Sequence, residues 1–176
     1  GSSVSFSNLA MDTNESAEVG GGENTIGGAF GLVFDSELSL DHCTIYGNNS
    51  ISGGVSGLYS SNSTVDIRSS IFWNNPGQWD GESGQLIGVG FDVSHSDIQG
   101  GYEGSGNVDT DPLFCDLLFF ELAENSPLLG LGQDGTDIGA AEIGCDPIYN
   151  LEIQFVDISV SGNSAQFSIM TDGDHD

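Results

Sequence analysis

Two eleven-residue runs, 38–48 (LSLDHCTIYGN) and 65–75 (VDIRSSIFWNN), superimpose without a gap at an offset of 65 − 38 = 27 residues. Apolar residues meet at the first, third and eighth places (Leu38/Val65, Leu40/Ile67, Ile45/Phe72), and Asn48 meets Asn75 at the eleventh. Residues 4–14 and 91–101 carry two further copies. The first and third places alternate with polar neighbours (Ser39, Asp41, Asp66, Arg68, Asp92, Ser94), the period-2 pattern of a half-buried strand. A second apolar run precedes each later copy, at 32–34, 58–59 and 86–89, and Gly and Ser turns separate the runs. Repeats of this length cannot bury a core singly and must stack. The prediction is all-β: a parallel solenoid of about four rungs. Inward columns of Phe6, Leu40, Ile67, Val93 and of Met11, Ile45, Phe72, Ile98 are expected, with Leu9, Cys43, Ser70 and Ser96 also turning inward. Asn14, Asn48 and Asn75 should form an amide ladder that ends at Gly101.

The alternation stops after Gly101. Residues up to 114 are assigned to the rungs and 115–147 to a C-terminal cap. Leu113, Phe114, Phe119, Phe120, Leu128 and Leu129 are expected to plug the end of the stack. From 148 to 176 a new alternation, LEIQFVDISV and AQFSIM around Gly162-Asn163, predicts a β-hairpin. It reads as the start of a sandwich-like domain or as an inter-subunit strand. The segment 76–85 is turn-rich and reads as an excursion carrying Trp79.

Composition sharpens this. A hydrophobic content of 37% with 27 glycines suits a thin stack with tight turns. Charge is extreme: 27 acids stand against one basic residue, Arg68, for a net −26. Such a surface repels nucleic acid, anionic membranes and acidic polysaccharides; it suits cations, neutral glycans or high salt, or simply keeps a secreted protein soluble. No apolar run is long enough to span a bilayer as a helix. The chain opens almost directly into a strand, so it is expected to be cut from a longer protein or to stack on another copy. Cys115 and Cys145 bracket the terminal segment and are a candidate disulfide, whereas Cys43 reads as a small buried apolar residue.

The repeats resemble the right-handed parallel β-helix repeats of secreted bacterial proteins in the pectate-lyase-like superfamily. The resemblance is carried by VDIRSSIFWNN, HSDIQGGYEGSGNVDTDPLF and NSPLLGLGQDGTDIGAAEIGC. It spans about residues 1–147. It implies right-handedness, an extracellular or cell-surface address and a following Ig-like or sorting region. It fixes no activity, because this fold hosts lyases, hydrolases, adhesins and inert stalks.

Candidate chemistry lies on the polar face. Asp66 and Asp92 share the second place on neighbouring rungs, so their carboxylates should lie about 5 Å apart. They are a candidate calcium site, an acid/base pair for glycan cleavage together with Asp41 and Arg68, or a solvated face. Asp41 and Arg68 share the fourth place and are expected to pair. Tyr46 and Trp73 share the ninth place, with Trp79 and Tyr102 on nearby loops. These rings suit either sugar faces or a packed corner. His42 and His95 share the fifth place two rungs apart, too far to share a metal, and read as polar surface. The function expected is an extracellular structural or adhesive domain assembling with itself or within a larger surface protein. The alternatives are a polysaccharide lyase, a glycoside hydrolase or a non-catalytic glycan binder.

Overall fold

The computed structural model describes residues 3–12, 15–16, 29–33, 35–50, 56–76, 78–79, 82–83, 85–149, 155–161 and 164–170. Asn14, Gly162, Asn163 and the acids Asp172, Asp174 and Asp176 lie outside that set. Apart from one 3-10 turn at Gln133–Gly135, the regular elements described are all strands.

Three parallel sheets account for most of them. The first holds Ser3–Ser7, Glu37–Asp41, Thr64–Arg68 and Phe91–Ser94, side by side in chain order. The second holds Ala10–Asp12, Thr44–Tyr46, Ile71–Trp73 and Asp97–Ile98. The third holds Phe30–Val33, Leu58–Ser61 and Leu86–Gly88. Each circuit of the chain passes from third to first to second sheet, laying one strand beside its predecessor in each. Register follows the sequence alignment: Phe6, Leu40, Ile67 and Val93 are successive Cα partners. Met11, Ile45, Phe72 and Ile98 form a second such series. Leu40, Ile67, Ile45, Phe72 and Leu58 are fully buried in one cluster shared by all three sheets. Each contributes about 1.5–3 kcal/mol of apolar burial.

Polar columns tie the circuits together. Ser96 Oγ accepts from Ser70 N (3.1 Å), and Ser70 Oγ from Cys43 N (3.0 Å). Asn75 Oδ1 accepts from the main chain and side chain of Asn48, at 2.9 and 3.1 Å. The amide column does not stop at Gly101. Asn75 Nδ2 donates to Gln85 Oε1, whose amide donates in turn to Gln99 Oε1. Between first and second sheets the chain turns in two residues. The first of these has positive φ in every circuit: Asn8 (53°), His42 (50°), Ser69 (45°) and His95 (49°). Asn and His tolerate this left-handed conformation better than most L-residues.

The terminal segment departs from the expected plug. The last circuit is covered by residues 102–110, where Val108 bridges Asp97 and Asn107 Oδ1 accepts from Ser96 N. The segment beyond forms a strap along the outer face of the second sheet. Leu122, Leu128 and Ile138 bury themselves on Ile71, whose neighbour Phe72 points the other way into the shared core. Gly139 sits so close that a Cβ would fall 2.6 Å from Ile71 Cδ1. Gly139 N donates to Ser69 O, and Ala140 N to Thr44 Oγ1. Phe120 and Leu128 are therefore buried outside the stack, while Phe119 is 63% exposed. The apolar spacing of this segment showed that it must pack somewhere, and the uncovered outer row of Thr44 and Ile71 decided where.

Cys115 and Cys145 are disulfide-bonded, with Cα atoms 5.8 Å apart, and pin the middle of the strap to its end. Phe155–Ser161 and Ser164–Met170 pair antiparallel, setting Val156, Ile158 and Val160 opposite Ile169, Phe167 and Ala165. Among the described residues, no helix is long and apolar enough to cross a membrane.

Candidate functional site

The acidic face of the first sheet differs from expectation in its pairing. Asp66 and Asp92 are Cα partners, as are Asp41 and Arg68. Yet the Arg68 guanidinium turns to Asp66, two residues back on its own strand, through Nε (2.9 Å) and Nη2. Two residues along a strand share a face, so the shorter bidentate reach wins over the cross-strand one. Asp41 instead lies 3.2 Å from His42 Nδ1, and His42 Nε2 lies 3.0 Å from Thr136 Oγ1. His42 is thus a clasp between the corner and the strap rather than idle surface. Asp66 meets Asp92 already carrying a cation. Among the described residues there is no group of three or more His, Cys, Asp or Glu placed to hold a metal ion.

The aromatics divide into separate places. Tyr46 and Trp73 are Cα partners on the outer face of the second sheet. The strap brings Phe114 and Phe120 to Tyr46, at centroid distances of 5.8 and 5.3 Å. Tyr102 packs on Phe91 of the first sheet, at 6.1 Å. The main chain of Gln78–Trp79 pairs with Glu82–Ser83 in the expected excursion, and the Trp79 side chain lies outside what the structure describes. Tyr46, Trp73 and Phe114, with Asp111, Leu117 and Ile148, wall a cleft of about 320 Å³ between sheet and strap. Its rim is braced. Asn125 holds Ile148 through both main-chain groups, at 2.6 and 2.8 Å, and Asp111 Oδ1 accepts from Leu113 N.

Sequence reading missed Asp97. Its neighbours made it look like one more polar strand residue, but it is fully buried, with Val108 and Thr110 of the last turn against it. Oδ1 accepts from Thr110 N at 3.1 Å, and Oδ2 has no hydrogen-bond partner among the described residues. Desolvation, opposed by the Thr110 N–H and reinforced by the charges of Asp109 and Asp111, raises its pKa to about 7. The available signal was its register with Ile71, already an apolar outward residue. Cys43 is likewise enclosed, and burial raises its thiol pKa.

The chain matches no protein-family profile, no curated protein and no solved structure.

Proposed function

We propose that the chain is a right-handed parallel β-helix of about four rungs, closed laterally by the strap, acting as a structural and adhesive module outside the cell. The observation that carries this reading is the set of rung-to-rung ladders, Ser96–Ser70–Cys43 and Asn75–Asn48, which commit polar side chains to stacking. Right-handed crossovers between parallel strands are the general rule. The disulfide supports an oxidising, extracellular setting. The module assembles with further copies or with the rest of a larger surface protein. Negative-stain microscopy, with calcium and then chelator, tests this. Short rods or end-to-end chains are the expected result, and isotropic particles would overturn it.

A second reading, a non-catalytic glycan binder, is favoured by Tyr46 and Trp73 lining one cleft. Catalysis by Asp41, Asp66, Arg68 and Asp92 would require Asp66 to act while bonded to Arg68. Loss of glycan cleavage in Asp92→Asn would establish it; absence of cleavage across a panel of neutral and acidic glycans would remove it.

A further inference from the structure

We propose that the cleft walled by Tyr46, Trp73, Phe114 and Asp111 binds an organic ammonium group. This rests on the reading of the cleft as a ligand site and changes the chemical class of its occupant.

The wall chemistry separates an ammonium from a neutral sugar. A sugar ring needs several hydrogen-bonding partners around its hydroxyls besides an aromatic face. Few of its side chains hydrogen-bond: Pro112, Leu113, Phe114, Leu117 and Ile148 are apolar, which leaves the Trp73 indole N–H, the Tyr46 hydroxyl, already accepting from Asn74 Nδ2 at 3.3 Å, and Asp111. What remains is three kinds of aromatic ring and one carboxylate. Aromatic faces attract cations through their quadrupoles, and a neighbouring carboxylate adds a charge that a neutral ligand does not use. The rings of Tyr46 and Phe114 pack edge to face at 87°, and both line the cleft. Asp111 is oriented by the Leu113 N–H on Oδ1.

Long-range charge points the same way. The protein carries −26, and its one basic side chain, Arg68, is on the first sheet and bonded to Asp66. No protein cation competes for the cleft, and the whole field draws a positive ligand in. The shared chemistry is an ammonium on a small organic frame, either quaternary as in choline or primary as in glucosamine.

The test is a titration of the full chain, followed by tryptophan fluorescence and by chemical shifts of the Tyr46 and Trp73 rings, at constant ionic strength. The probes are choline chloride, glucosamine, the neutral choline isostere 3,3-dimethylbutan-1-ol, and neutral maltotriose. Saturable binding of choline or glucosamine, at least about tenfold tighter than the isostere, is expected, with Asp111→Asn weakening it about tenfold. Choline binding without glucosamine assigns a quaternary ligand, and the reverse assigns an aminosugar. Leu117→Ala, on the exposed rim, checks that the shifts come from this cleft. Maltotriose binding without either ammonium overturns the proposal and keeps the glycan reading. Equal binding of choline and its isostere overturns the cation's role, and no binding by any probe removes the ligand site itself.

Discussion

The first and second sheets are built by the same circuits of chain, yet they live in different solvents. On the first sheet, inward Leu38, Leu40, Val65 and Ile67 are buried, while outward Glu37, Thr64, Arg68 and Asp92 are exposed. On the second, Ile45, Phe72 and Ile98 fill the inner face, and Thr44, Ile71 and Asp97 on the outer face are equally inaccessible. A strand with one wet face shows its alternation, whereas a strand covered on both sides shows a short apolar run. The difference is imposed by the strap, from a part of the chain distant in sequence. The aromatic cleft lies beside it, and Asp97 lies under the turn that leads into it.

The contrast can be broken most severely on the covered sheet. Ile71→Ala should cost about 2–5 kcal/mol in denaturant unfolding, because it empties a site closed by both sheet and strap. Thr64→Ala, on the outer row of the first sheet, should stay within about 0.5 kcal/mol. Equal losses would mean that the strap does not seal the second sheet.

Acidity should act almost as strongly. Asp97 has a folded pKa of about 7, above the ordinary value of 3.8. Its contribution is therefore fully present below about pH 4 and is lost as pH rises through 7, by up to about 4 kcal/mol. Asp97→Asn should flatten that part of the stability–pH curve relative to the parent, which isolates it from the general repulsion among 27 acids.

Removing the disulfide by Cys115→Ser with Cys145→Ser should lower stability by about 2–4 kcal/mol. Hydrogen exchange should rise in the strap before it rises in the first sheet. Least affected of all should be Arg68→Ala: its pair with Asp66 is largely exposed, so thermal unfolding should shift by no more than about 1 kcal/mol equivalent.

The legible part of the molecule was the part that repeats. The pairings Leu40/Ile67 and Ile45/Phe72 follow from the 27-residue alignment, because one inward side chain per place must stack on its homologue. The Asp66/Asp92 neighbourhood was legible for the same reason, but the side chain that Arg68 would choose was not. Register fixes backbones, and a flexible guanidinium selects among carboxylates within reach. The strap's destination was hidden because its apolar residues reveal that Phe120 and Leu128 are buried without naming what they cover. The burial of Asp97 was hidden because it depends on the turn at 102–110 laid against it. The corner column was readable in principle, since Asn8, His42 and His95 belong to types that accept positive φ.

That corner has a consequence for how the chain can vary. Between first and second sheets the connection is two residues in every circuit: 8–9, 42–43, 69–70 and 95–96. Between second and third sheets it runs over 13–29, 47–57 and 74–85, with no common length. Between third and first sheets it is again short, at 62–63 and 89–90, so of the three corners the one after the second sheet is the one whose length varies. A single residue added between His42 and Cys43 is expected to throw every later side chain in that circuit onto the wrong face. New loops, tags or binding segments have one edge on which to be written.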